Sequence, residues 1–168
     1  RGGKVSFTHI IAFAMVQAIR DVPEMNHSFD MTDGKPTLVE NPAINLGIAI
    51  DTTAKNGTRE LLVPNIKDAG NLDFAQFWSA YEDLVDRTRS GKLTLEDYAG
   101  TTVSITNPGG IGTNMSVPRL MSGQAMIMGV GSIDYPAAFQ GTSTQRTNDA
   151  AISKVCTLTS TYDHRIIQ

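Results

Sequence analysis

Phe29-Asp30-Met31-Thr32-Asp33-Gly34-Lys35-Pro36-Thr37-Leu38-Val39 reads as two short strands about one Asp-Gly turn. Asp and Gly are the residues that tolerate the left-handed backbone of a two-residue hairpin loop. Upstream, residues 6–20 read as a helix. Thr8 can cap it, apolar side chains follow at helical spacing, and Pro23 prevents continuation. Downstream, Asn45-Leu46-Gly47-Ile48-Ala49-Ile50-Asp51 reads as a strand, and Lys55-Asn56-Gly57 turns the chain into a further strand over 60–66. A helix followed by successive hairpins breaks strict βαβ alternation, so the expected fold class is α+β.

The second half is consistent with that class. Asn71 opens the clearest helix. Phe74, Phe77, Trp78, Tyr81, Leu84 and Val85 recur at i, i+3, i+4, i+7, i+10 and i+11, an apolar stripe for a core. Gly91 is its expected stop. Thr94-Leu95-Glu96-Asp97 resembles a capping box with Asp in the last place. Strands are expected at 102–106, 125–130 and 154–161, the last of them buried. Residues 139–151 are polar without a period and read as a surface loop.

Bulk properties exclude several functions. The 168 residues form one expected domain with a sizeable core. Hydrophobic residues are 40% and charged residues 18%, which places the chain among globular rather than disordered sequences. A net charge of −3 gives no basic footprint for nucleic acid. No apolar run approaches the ~20 residues of a membrane span. One cysteine, Cys156, excludes an internal disulfide and suits a reducing, cytoplasmic setting. Arg1-Gly2-Gly3-Lys4 lacks an initiator methionine and the chain stops at Gln168, so residues 1–168 are expected to be a piece of something longer, cut at both ends.

Two segments could carry chemistry. Ser104-Ile105-Thr106-Asn107-Pro108-Gly109-Gly110-Ile111-Gly112 brings a hydroxyl, an amide and close-approaching backbone together. Read alone, it is also an ordinary turn. It completes neither G-x-G-x-x-G nor a Walker loop. Near the C-terminus, His164 stands between Asp163 and Arg165, which can orient a ring or balance its charge; a structural ion pair has the same appearance. A base together with a hydroxyl donor on a glycine loop is the minimal kit for acyl transfer. His9 and His27 read as partly exposed or capping residues, and Cys156 as a buried inert thiol in mid-strand. One cysteine and three scattered histidines give no metal-ligand spacing, so no metal is expected.

In order along the chain, Val22-Pro23-Glu24-Met25-Asn26, Asn45 to Asp51, Leu61-Leu62-Val63-Pro64, Gly91-Lys92-Leu93-Thr94, the Thr106-Asn107 glycine loop and Asp163-His164-Arg165 resemble motifs of one family. It is the catalytic domain of the acyltransferase component of 2-oxo acid dehydrogenase complexes, which shares its fold with chloramphenicol acetyltransferase. Asn107-Pro108-Gly109-Gly110-Ile111-Gly112-Thr113, Ser116-Val117-Pro118-Arg119-Leu120 and Gly129-Val130-Gly131-Ser132-Ile133-Asp134-Tyr135-Pro136 are similar to a narrower branch. In that branch, the actinobacterial 2-oxoglutarate dehydrogenases, the domain is fused ahead of a thiamine-dependent part and lacks its own lipoyl domain. Gln168 stands where the wider family carries Asp or Asn, which removes any ion-pair role there; the actinobacterial branch carries the same Gln.

The resemblance implies a six-stranded mixed sheet packed with helices, assembled as a homotrimer with sites at the subunit interfaces. It implies succinyl transfer from dihydrolipoamide to coenzyme A. His164 would be the general base and Thr106, from the neighbouring subunit, the oxyanion donor. Asp163 and Arg165 would fix geometry, and Asn107, Gly109 and Gly110 would shape the loop. Lipoamide would arrive on a lipoyl domain of a separate protein. The other partners implied are the thiamine-dependent dehydrogenase part, where thiamine diphosphate and Mg would reside, and dihydrolipoamide dehydrogenase. A non-catalytic trimerisation scaffold and an acetyltransferase of the pyruvate-complex or chloramphenicol type are the competing readings.

Overall fold

The computed structural model describes residues 3–54 and 56–168; Lys55 of the expected turn and Arg1-Gly2 lie outside it. The elements are α1 (Phe7–Asp21), β1 (Ser28–Thr32), β2 (Lys35–Val39), β3 (Leu46–Ile48), β4 (Ile50–Thr53), β5 (Arg59–Leu62), β6 (Asn65–Ile66), α2 (Phe74–Arg89), β7 (Val103–Thr106), β8 (Met126–Val130), α3 (Thr144–Asp149) and β9 (Leu158–Tyr162). The α+β class holds. The central mixed sheet runs β6-β3-β7-β8-β9, with β3, β7 and β8 parallel and the two edge strands antiparallel.

The sheet has five strands where six were implied. The expected strand over 45–51 divides at Ala49: β3 stays in the sheet, and β4 leaves to pair with β5. Pro64, which has no N–H to donate, separates β5 from β6 in the same way. The β1–β2 hairpin forms on Asp33 and Gly34, both left-handed at φ 52° and 73°.

One core joins the helices to the sheet. Ala12, Met15, Val16 and Ile19 of α1 meet Phe77 and Leu84 of α2 over Leu46, Val103 and Ile105. Phe77 is completely buried, worth about 1.5–3 kcal/mol over leaving it exposed. Phe13 of α1 packs edge-on against Phe74 at 5.3 Å. Asp73 rather than Asn71 caps α2, in a reciprocal box with Gln76. Gly91 ends it in the left-handed region. Ser6 rather than Thr8 caps α1, because His9 at N3 returns the bond to the Ser6 backbone. His9 is therefore a capping residue and also buried, its Nε2 2.9 Å from Glu82.

Three readings near the C-terminus change. Residues 139–151 contain α3, capped by Ser143; six residues are too few for a helical period to show. The last strand begins at Leu158 rather than 154, and its exposure alternates because it is a sheet edge rather than a buried strand. Cys156 therefore precedes the strand. It is half-buried, and its thiol donates to the Gly131 carbonyl at 3.2 Å. No helix among the described residues is long and apolar enough to cross a membrane.

Candidate active site

β7 is buried through Val103, Ser104 and Ile105 and emerges at Thr106, so the fully packed strand sets where that hydroxyl begins. Asn107 then turns the chain. Its Oδ1 accepts the Gly109 N–H at 3.1 Å, which leaves its Nδ2 to donate to Thr8 Oγ1 at 2.7 Å. That bond spans 99 positions of sequence and ties the loop to the first turn of α1. Pro108–Ile111 forms a 3-10 turn closed by Gly112 at φ 89°.

Gly109 is required by close packing. A Cβ there would lie 2.6 Å from the Ser132 nitrogen and nearer still to the Gly131 carbonyl. Gly110 faces open space, so the two glycines expected to shape the loop have different reasons to be there.

Parallel β7 and β8 need a long crossover, usually a helix. Here residues 107–125 are mostly irregular, and β9 holds them from the side. Thr159 Oγ1 donates to the Ser116 carbonyl at 2.6 Å, and Thr161 Oγ1 to the Pro118 carbonyl at 2.7 Å. Thr106, Leu61, Val63, Ser116, Arg119 and Met121 are among the residues that line a mainly apolar cleft of about 390 Å³. The Ser116 Oγ is buried with no hydrogen-bond partner among the described residues.

His164 sits in a turn just after β9. The Asp163 N–H donates to the Ala125 carbonyl at 3.1 Å, and the Ile166 N–H closes the turn on the Asp163 carbonyl at 3.0 Å. The turn presents His164 to solvent, with its ring 5.2 Å from the Tyr162 ring. Asp163 does not hold the His164 ring. Its carboxylate takes both the Nε and Nη2 of Arg165, at 2.9 and 2.6 Å, and the guanidinium lies 3.7 Å over Phe29. The pairing with Arg165 lowers the Asp163 pKa below the ordinary aspartate value and raises that of Arg165. Ser104 Oγ donates to Gln124 Oε1 at 2.7 Å, both groups buried, and so ties β7 to the chain just before Ala125. Gln168 is exposed.

Within one chain, Thr106 and His164 stand apart. Thr106 pairs with Gly129, and Tyr162 with Met126, two strands away and three residues along the sheet. At ~3.3 Å per residue and ~4.8 Å per strand that is roughly 14 Å, and His164 lies two residues further out. The two cannot reach one carbonyl from the same chain.

Sequence reasoning missed Thr8, read there as a cap rather than as the anchor of Asn107. It also missed the pair Thr159 and Thr161. Their alternation on an edge strand was visible, but their acceptors lie 43 residues away.

An apolar cleft lined by Thr106 and Ser116, an exposed histidine turn and a five-stranded mixed sheet with helices define an acyltransferase-type domain of the chloramphenicol acetyltransferase fold. Solved structures agree on the fold. A Listeria monocytogenes protein described as a probable dihydrolipoamide acetyltransferase superposes with a TM-score of 0.77 at 26% identity, over 97% of this chain and 63% of that one. A truncated catalytic core of the 2-oxoacid dehydrogenase multienzyme complex from Thermoplasma acidophilum gives 0.75 at 28%, over 98% and 67%. The chain belongs to the 2-oxoacid dehydrogenases acyltransferase (catalytic domain) family, whose model matches residues 1–168. It is 58% identical over its whole length to the 2-oxoglutarate dehydrogenase E1/E2 component of Corynebacterium glutamicum. It is 57% identical to a multifunctional 2-oxoglutarate metabolism enzyme of Mycobacterium sp. (strain JLS). The chain spans 14% and 13% of the length of these relatives.

Proposed function

We propose that this domain moves a succinyl group between the S8 thioester of dihydrolipoamide and coenzyme A. Two relatives carry 2-oxoglutarate in their names, and loss of CO₂ from 2-oxoglutarate leaves a four-carbon acyl group ending in a carboxylate. The observation that carries the reading is the placement of Thr106 in an apolar cleft, with His164 exposed and out of reach at the other end of the strands. Such halves complete each other across a symmetric interface between copies, and a homotrimer is the assembly proposed.

His164, as a neutral imidazole, takes the thiol proton of coenzyme A. The thiolate adds to the thioester carbonyl, and the Thr106 hydroxyl donates to the oxygen as it becomes negative. The adduct collapses, the dihydrolipoamide sulfur leaves, and the imidazolium returns the proton to it. Histidine serves because a ring nitrogen of the imidazole can accept the proton and then give it back. The apolar cleft excludes water and strengthens the hydrogen bond to the oxyanion. Asp163 and Arg165 hold the turn, and Asn107 with Gly109 holds the loop behind Thr106. The lipoyl domain of a separate protein would deliver the acyl group, with the thiamine-dependent part and dihydrolipoamide dehydrogenase as further partners.

The test is succinyl transfer from succinyl-CoA to free dihydrolipoamide. Wild-type protein should turn over, and His164→Ala should lose ~10²–10⁴-fold with fold and assembly unchanged. A His164→Ala rate within a few-fold of wild type would remove the histidine from the mechanism. A wild-type protein without transfer would favour the scaffold reading.

A further inference from the structure

We propose that Arg119 reads the terminal carboxylate of the acyl group and makes the cleft selective for a dicarboxylic acyl chain. The inference rests on the acyltransfer reading above and adds the group that discriminates between acyl donors.

The cleft that holds Thr106 is lined by ten residues, of which Arg119 is the only charged one. Its walls include Leu61, Val63, Met121 and Ile127, so a carboxylate entering it meets no other full charge. Among the described residues no carboxylate lies within ion-pair distance of Arg119, as is also the case for Arg20, Arg89 and Arg146, whereas Arg59 and Arg165 have one each and Arg87 has two; of the four without one, Arg119 alone lines this cleft. Arg119 is itself solvent-exposed, so its guanidinium stands at the edge of the apolar cleft with no carboxylate of this chain to displace before it takes one from a ligand. Its planar fork can donate two parallel bonds, and the apolar walls strengthen them.

The reach fits. From thioester carbon to carboxylate carbon a succinyl chain spans three C–C bonds, roughly 4 Å at ~1.5 Å each with the usual zigzag. A cleft of about 390 Å³ lined by both Thr106 and Arg119 has room for that chain. The loop is also set for such a role. Pro118 precedes Arg119, and the Pro118 carbonyl is clamped by the Thr161 hydroxyl at 2.7 Å. The backbone that carries the guanidinium is therefore pinned to β9. An acetyl group would leave the guanidinium without its acceptor, the situation in which polar sites discriminate most strongly.

The experiment compares kcat/KM for succinyl-CoA and acetyl-CoA, with free dihydrolipoamide as acceptor, in the full-length protein. Wild type should favour succinyl-CoA. Arg119→Gln should lower the succinyl-to-acetyl ratio about 10- to 150-fold, the range expected for losing hydrogen bonds to a charged group. Arg119→Lys, which keeps the charge but not the fork, should fall between the two. An unchanged ratio in Arg119→Gln, whether both rates hold or both fall together, overturns the assignment, as does a wild-type preference for acetyl-CoA. Absence of any acyl transfer by wild type would defeat the underlying reading, a result separate from an active enzyme whose selectivity ignores residue 119.

Discussion

Gly109→Ala and Gly110→Ala make the same chemical change at neighbouring positions and should give opposite results. At Gly109 the new methyl would sit 2.6 Å from the Ser132 nitrogen and closer to the Gly131 carbonyl, both backbone atoms. Neither can retreat cheaply. The Gly131 N–H is bonded to the Thr157 carbonyl at 2.9 Å, and the Ser132 N–H to the Thr113 carbonyl at 2.8 Å. On the other side Gly109 is held by Asn107, itself anchored to Thr8. Overpacking of this kind costs about 1–3 kcal/mol. For a chain of this size that corresponds to a melting temperature lower by roughly 2–12 °C. At Gly110 the methyl meets nothing within 4 Å, and the backbone is outside the left-handed region. Alanine there should be neutral or add up to ~1 kcal/mol by restricting the unfolded chain. Thermal melts of the two variants beside wild type measure both. Gly109→Ala should also slow acyl transfer, because relief of the clash moves the loop behind Thr106. A Gly109→Ala melting point equal to that of Gly110→Ala would refute the close-packing argument.

Thr106→Ala should lower turnover on the order of 10²-fold with the Michaelis constant for coenzyme A nearly unchanged; a rise in the Michaelis constant at constant turnover would make Thr106 a binding residue. Co-assembled His164→Ala and Thr106→Ala subunits should recover activity that neither parent has. In a random equal mixture about a quarter of the interfaces would then carry both intact groups, and a mixed assembly as inactive as its parents would place both groups on one chain. Asp163→Asn should be less stable than wild type at pH 7. Because Arg165 depresses the native Asp163 pKa below its ordinary 3.8, the wild-type advantage should be complete above that value and vanish as pH falls through the depressed one. A melting-point difference constant from pH 7 to strongly acid solution would show that the pair does not hold the turn.

Elements whose causes are local can be read from the residues alone. The Asp33-Gly34 hairpin follows from two residues that accept positive φ, and α2 follows from a stripe repeated at helical spacing and a glycine stop. The candidate loop and the Asp163-His164-Arg165 turn were legible as well, because each is a contiguous run with a recognisable family likeness. Tertiary structure decided the rest, because the deciding partners are distant in sequence. Ser6 caps α1 only because the His9 ring folds back on it. The strand over 45–51 divides because β4 finds β5 while β3 keeps β7. Asp163 serves Arg165 rather than His164, because that guanidinium is held flat over Phe29 from the first hairpin. Above all, the order of strands in the sheet puts Thr106 and His164 at opposite ends of their neighbours. Spacing along a chain says nothing about distance across a sheet, and that distance is why the proposed site draws Thr106 and His164 from two copies.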